Sequence, residues 1–133
     1  MSCVLSIAGK KLDTDDFILK IRLKGFIKKY KEKNIKSKYN RLEQKYSFVS
    51  ATISKASLNN FKKQVSDTIA YLKKNKKKLV LIKNTKEIEY ATLNFLVKSK
   101  SVSDEYFAQY LYFPRELTLL CGSLNLGIEI TIV

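Results

Sequence analysis

Five apolar residues settle one helix before anything else in the chain is decided. Leu58, Phe61, Val65, Ile69 and Leu72 recur at i, i+3, i+7, i+11 and i+14, a stripe under about a quarter-turn wide on a 3.6-residue repeat. Lys62, Lys63, Asp67 and Lys74 fall on other faces, so the spacing predicts an amphipathic helix from about Ser57. A helix with one oily stripe must lie on a partner surface, and the rest of the sequence has to supply it.

Short alternating segments do so. Cys3 to Ala8 reads as an apolar strand ended by Gly9, and Asp13, Asp15 and Asp16 offer a cap and first-turn carboxylates to a helix running to about Leu23, before Gly25. Phe26 to Tyr30 alternates as a strand. In Tyr46 to Ile53, Val49, Ala51 and Ile53 take one face while Tyr46, Phe48, Ser50 and Thr52 take the other. Lys78 to Lys83 is a buried-strand candidate, and the turn at Asn84-Thr85 would fold it into a hairpin with Glu87 to Val97. Tyr106 to Phe113 fits a strand or one amphipathic helix, and its aromatic content favours the strand. Pro114 opens a helix to Ser123, and Ile128, Ile130 and Ile132 alternate in a closing strand. Lys31 to Lys45 and Ser101 to Glu105 have loop composition, the former being the least ordered segment expected. The expected order is βαββαβ followed by ββαβ: an α+β fold with a single, mostly antiparallel sheet and about three helices on it, one domain over residues 1–133.

Absent residue types narrow the chemistry. With no histidine, the chain lacks the commonest general base and the commonest zinc ligand. Cys3 and Cys121 lie far apart in apolar surroundings, a spacing that suits buried free thiols rather than a redox pair or a disulfide framework. Apolar runs are as short as Leu79 to Ile82, far from the ~20 residues of a membrane span, and the amino terminus lacks the pattern of a signal peptide. A soluble, cytoplasmic protein is expected, with no catalytic group, cofactor or metal site.

Charge is divided unevenly. Residues 1 to 83 carry 22 basic and 6 acidic side chains, net +16, whereas residues 84 to 133 carry 4 and 6, net −2. Attraction to a polyanion must therefore come from the first part. The candidate phosphate contacts are Lys28, Lys29, Lys31, Lys73, Lys74, Lys76, Lys77 and Lys78. Lysine outnumbers arginine 23 to 3, and arginine is the residue that bidentate phosphate or guanine recognition favours. Solvated lysines on helix ends and loops are the alternative reading.

Other constellations read as structure. Gly122 to Gly127 is followed by Ile and Glu where a P-loop needs Lys and Ser or Thr. Asp13, Asp15 and Asp16 suit helix capping better than a hard cation, and Glu87 and Glu89 suit a solvated strand face. Tyr106, Phe107, Tyr110, Tyr112 and Phe113 form the densest aromatic stretch; core packing takes part of it, and Tyr106, Tyr110 and Tyr112 are the candidate protein contacts.

Two resemblances add to this reading. Over residues 1 to 83, the element order and Tyr46-Ser47-Phe48-Val49 partly resemble an RNA-recognition-type βαββαβ module, which implies a shared topology. Over nearly the whole chain, the opening Ser6-Ile7-Ala8-Gly9-Lys10-Lys11-Leu12-Asp13, the Leu58 to Leu72 helix and Phe113-Pro114 through Ile130 resemble a family of small bacterial domains of unknown function. That resemblance implies accessory roles such as toxin immunity and no established activity. The expected function is a non-enzymatic binding or accessory module with a protein partner; the alternative is RNA or DNA binding through the lysines of residues 20–45 and 73–78.

Overall fold

The central strand is β1 (Cys3–Gly9), whose two edges are both occupied. It pairs antiparallel with β3 (Ser47–Ser54) on one side and with β4 (Tyr90–Val97) on the other. β2 (Ile27–Lys29) extends the sheet antiparallel to β3, and β5 (Gly127–Ile132) closes it parallel to β4, giving the order β2-β3-β1-β4-β5. Among the described residues, three helices pack on this sheet: α1 (Thr14–Ile21), α2 (Phe61–Asn84) and α3 (Arg115–Ser123). The computed structural model describes residues 1–29, 46–100 and 108–133. The fold is α+β with a mostly antiparallel sheet, as the sequence predicts. β1 to β4 with α1 and α2 form a split β-α-β arrangement, and α3 carries the crossover that a parallel β4–β5 pair requires.

Register shows which sheet face the helices cover. Leu5 sits opposite Ala51 and Leu93, and Ile7 opposite Val49 and Ala91. These residues join one core cluster with Phe17 and Ile21 of α1, Val65, Leu72, Leu79 and Ile82 of α2, and Leu117 and Cys121 of α3. Val4 and Ala8 are buried yet lie outside that cluster, because the strand's period of two turns them to the opposite face, on which none of the described helices lies.

Local chemistry sets the helix ends. Asp13 caps α1 through a 3.0 Å bond from the Asp16 amide, and the helix stops at Ile21, two residues short of expectation, where Arg22 turns left-handed at φ 53°. Asn60 caps α2, accepting from the Lys63 amide at 3.1 Å, so Ser57 to Asn59 form a turn ahead of the helix. Pro114 stands one residue before α3, at its N-cap.

One expected strand is helix instead. Lys78 to Lys83 continues α2, which runs unbroken for 24 residues. Nothing between Leu72 and Leu79 stops a helix, lysine is a good helix former, and extending a formed helix costs less than nucleating a new element. Leu79 falls seven residues after Leu72 and Ile82 three after Leu79, so the same stripe stays buried. The hairpin expected with Glu87 to Val97 therefore does not form; the turn after Asn84 leads from helix to strand, and β4 finds its partners in β1 and β5. Of Tyr106 to Phe113, residues 106 and 107 fall outside the described part, and residues 108–113 are neither strand nor helix. The Gln109 amide takes over there, donating to the Lys98 carbonyl and accepting from the Lys100 amide, both at 3.1 Å.

Two substitutions test this architecture by chemical denaturation. A Cβ on Gly9 would lie 1.9 Å from the Glu87 carbonyl oxygen, a backbone atom that cannot swing aside, so Gly9→Ala should cost about 1–3 kcal/mol or more. Leu79→Ala should cost about 2–5 kcal/mol, and Leu81→Ala less than half as much, because a helix puts residues two apart on opposing sides; similar losses at both would favour a strand.

Candidate functional site

A groove of about 670 Å³ runs beside the first half of α2. Phe61, Val65 and Ile69, at i, i+4 and i+8, line its helix wall, and the segment from Tyr110 to Glu116 lines the other. Three rings fix that second wall: Phe113 meets Phe61 and Phe95, each with centroids 5.4 Å apart, and Phe61 meets Phe95 at 5.7 Å. With Phe113 and Leu111 turned toward the core, the alternate residues Tyr110 and Tyr112 point to solvent, 89% and 75% exposed. Lys62 and Lys100 also line the groove; Glu116 does too, but its carboxylate pairs with Lys73 of α2. Of the three candidate contact tyrosines, two thus border one groove, and Tyr106 lies outside the described residues.

The candidate lysines are spread over several surfaces. Lys28 faces the helices and pairs with Asp15 at 2.8 Å, whereas its neighbour Lys29 lies on the other face of the sheet, paired across strands with Phe48. On α2, Lys73, Lys74, Lys76, Lys77 and Lys78 fan over about 200° of the helix circumference. Lys73 pairs with Glu116 and Lys78 donates to the Arg22 carbonyl at 3.0 Å, while Lys74, Lys76 and Lys77 make no ion pair among the described residues. Lys31 lies outside the described part.

A third feature was singled out from sequence only in part, through the resemblance carried by Tyr46-Ser47-Phe48-Val49. On the sheet face opposite the described helices, Tyr46 lies between Phe48 and Tyr90, with ring centroids 6.3 and 5.7 Å away. Lys10 Nζ stands 5.6 Å from the Tyr46 ring centroid. A hydrogen bond with Tyr90 raises the Tyr46 hydroxyl above its ordinary pKa. Tyr90 comes from β4 and the other two from the β3 end, so only the strand order brings them together.

The remaining polar groups hold structure. Asp13 caps α1, Asp16 pairs with Lys20 at 2.8 Å, and Glu89 accepts from the Lys10 amide at 2.7 Å. The fully buried Gln64 donates to the carbonyls of Ser57 and Leu96, tying the start of α2 to β4. Asp67 accepts from Ser54 Oγ at 2.7 Å and pairs with Lys63, and these bonds hold its carboxyl below the usual value. Among the described residues, no group of three Cys, Asp or Glu side chains is arranged to hold a metal. Against known proteins, no family model matches the chain, and no curated protein or solved structure matches it significantly.

Two titrations follow from these environments. Burial pushes the Cys3 and Cys121 thiols up to about 11, so a thiol reagent at neutral pH should label neither in the native chain and both in denaturant; rapid native labelling would contradict the buried placement. The lowered Asp67 carboxyl adds stability that is complete above the ordinary aspartate range and is lost as pH falls through its lowered value. Asp67→Asn should therefore be less stable near neutrality and decline less steeply in acid, as read by denaturant melts across pH.

Proposed function

We propose that this chain is a binding module rather than an enzyme, and that its partner is a protein segment lying in the groove beside α2. One observation carries the reading: Tyr110 and Tyr112 stand almost wholly in solvent next to the apolar wall of Phe61, Val65 and Ile69. Tyrosine combines a large rigid contact area with only two side-chain torsions to freeze, which is why it is common at the energetic centres of interfaces. The fixed Phe113 beneath them limits what the segment must reorganise on binding.

Charge narrows the partner further. Glu116 is already neutralised by Lys73, and Lys62 and Lys100 at the groove make no ion pair among the described residues. A complementary segment carries acidic residues beside one or two apolar or aromatic anchors.

Selection from a random displayed-peptide library on the immobilised chain tests this. Enriched peptides should combine acidic and apolar residues, and Tyr110→Ala with Tyr112→Ala should weaken them at least about tenfold, roughly 1.4 kcal/mol, with little change in melting temperature. Selected peptides that bind the double variant as well as the parent would take the groove out of the account.

A further inference from the structure

The crests of the three helices, the lines of residues turned away from the sheet, share one surface. Sheet order fixes their arrangement: α1 lies over β2 and β3, α3 lies beside β5, and α2 contacts both helices, so it runs between them. Leu19 is two residues from both Phe17 and Ile21, hence about 160–200° around α1 from either buried side chain, and Leu119 stands in the same relation to Leu117 and Cys121 of α3. These two leucines are 75% and 60% exposed. On α2, Lys74 and Lys77 each lie about 140–160° from the buried Leu72 and Leu79. A single exposed leucine is ordinary. Here two occupy the crests on either side of a lysine crest, roughly 16–20 Å apart at two helix spacings.

Charge on this surface is one-sided. α2 carries eight lysines and one acid, Asp67. Asp67 is paired with Lys63, Asp16 with Lys20, Asp15 with Lys28 and Glu116 with Lys73. Lys74 and Lys77 are exposed and make no ion pair among the described residues. Arg115, also exposed, stands one turn before Leu119 on the crest of α3.

This distribution decides the kind of partner. A protein interface gathers its apolar residues at a dry centre and leaves charge to the rim; this surface has lysines at the centre and leucines at the rim. A nucleic-acid duplex would use the lysines and leave the leucines in water. An anionic bilayer uses both, because separate leucines can enter between headgroups while lysines meet lipid phosphates with their stems along the surface. Lysine serves there as a point charge, since a fluid headgroup layer imposes no bidentate geometry.

We propose that the outer face of the helical layer docks on an anionic membrane, with Leu19 and Leu119 inserted and Lys74 and Lys77 on headgroup phosphates. Among the described residues no helix is long and apolar enough to cross a bilayer, so the contact is with one leaflet. None of these four residues lines the groove beside α2, and the inference stands independently of the proposed protein partner.

Vesicle flotation with the full chain tests this. Vesicles of equal parts phosphatidylserine and phosphatidylcholine should be bound at least about tenfold more tightly than phosphatidylcholine alone, and less tightly as salt rises. Lys74→Gln and Lys77→Gln should each weaken binding roughly fivefold. Leu19→Gln and Leu119→Gln should each weaken it roughly threefold to tenfold, with the melting temperature unchanged because all four side chains are exposed. Both native thiols are buried, so an environment-sensitive dye can be placed at Leu119→Cys, where its emission should shift to the blue on these vesicles, and at Tyr90→Cys, across the sheet, where it should not. No binding at low salt, equal binding to phosphatidylcholine alone, or indifference to the leucine substitutions would overturn the proposal. So would a DNA duplex bound more tightly than the vesicles through the same two lysines, a dimer in solution abolished by the leucine pair, or vesicle binding lost as fully in Tyr110→Ala with Tyr112→Ala, since the face would then belong to nucleic acid, to a second copy, or to the groove.

Discussion

The double pairing of β1 is the constraint from which the rest of the molecule follows. Cys3, Leu5 and Ile7 must meet the core cluster on one face while both edges of the strand are hydrogen-bonded, so β3 and β4 are held in fixed register on either side. A slip of one residue would turn every core side chain outward. At the end of the strand, Gly9 allows the Glu87 backbone to come within a distance that no side chain tolerates. The entry to β4 is thereby pressed against the exit of β1, and the Ala8 carbonyl accepts from the Glu89 amide at 2.8 Å.

This geometry separates the molecule into two unlike surfaces. The helical layer carries a long α2, held at its start by Gln64 and along its second half by Leu79 and Ile82, with α3 and the Phe61–Phe95–Phe113 rings against its first half. The opposite sheet face, which none of the described helices covers, is small or polar across most of its width and aromatic in a single row. Ser2, Ser54 and Asp67 stitch the far end together: the Ser2 amide donates to the Ser54 carbonyl, and the Ser54 hydroxyl donates to Asp67 at the edge of α2.

What the sequence disclosed was whatever one element decides by itself. The Leu58 to Leu72 spacing identifies α2, the two-residue alternation of Tyr46 to Ile53 sorts β3 into its faces, and Asp13 marks the start of α1. Leu79 to Ile82 misled because four consecutive apolar residues have no period of their own; whether they continue a helix depends on the stripe before them and the sheet beneath. The aromatic cluster on the sheet was legible only in part. Tyr46 and Phe48 fall on one strand face in the sequence itself, but their neighbour Tyr90 is 42 residues further along than Phe48, and no local pattern reports that β1 will place just one small residue between them. The exposed tyrosines could be suspected from composition, yet their groove depends on Phe113 being captured by rings from α2 and β4.

The outer edge of β5 has a consequence for how copies of this chain meet one another. Among the described residues its backbone beyond β4 pairs with no further strand, and such a margin is the kind of surface on which identical chains stack into fibres. Glu129 sits exposed at the middle of that strand, and each copy carries a charge of +14. Burying a carboxylate in such a contact is costly and the copies repel at a distance, so charge alone already guards the margin against self-templating.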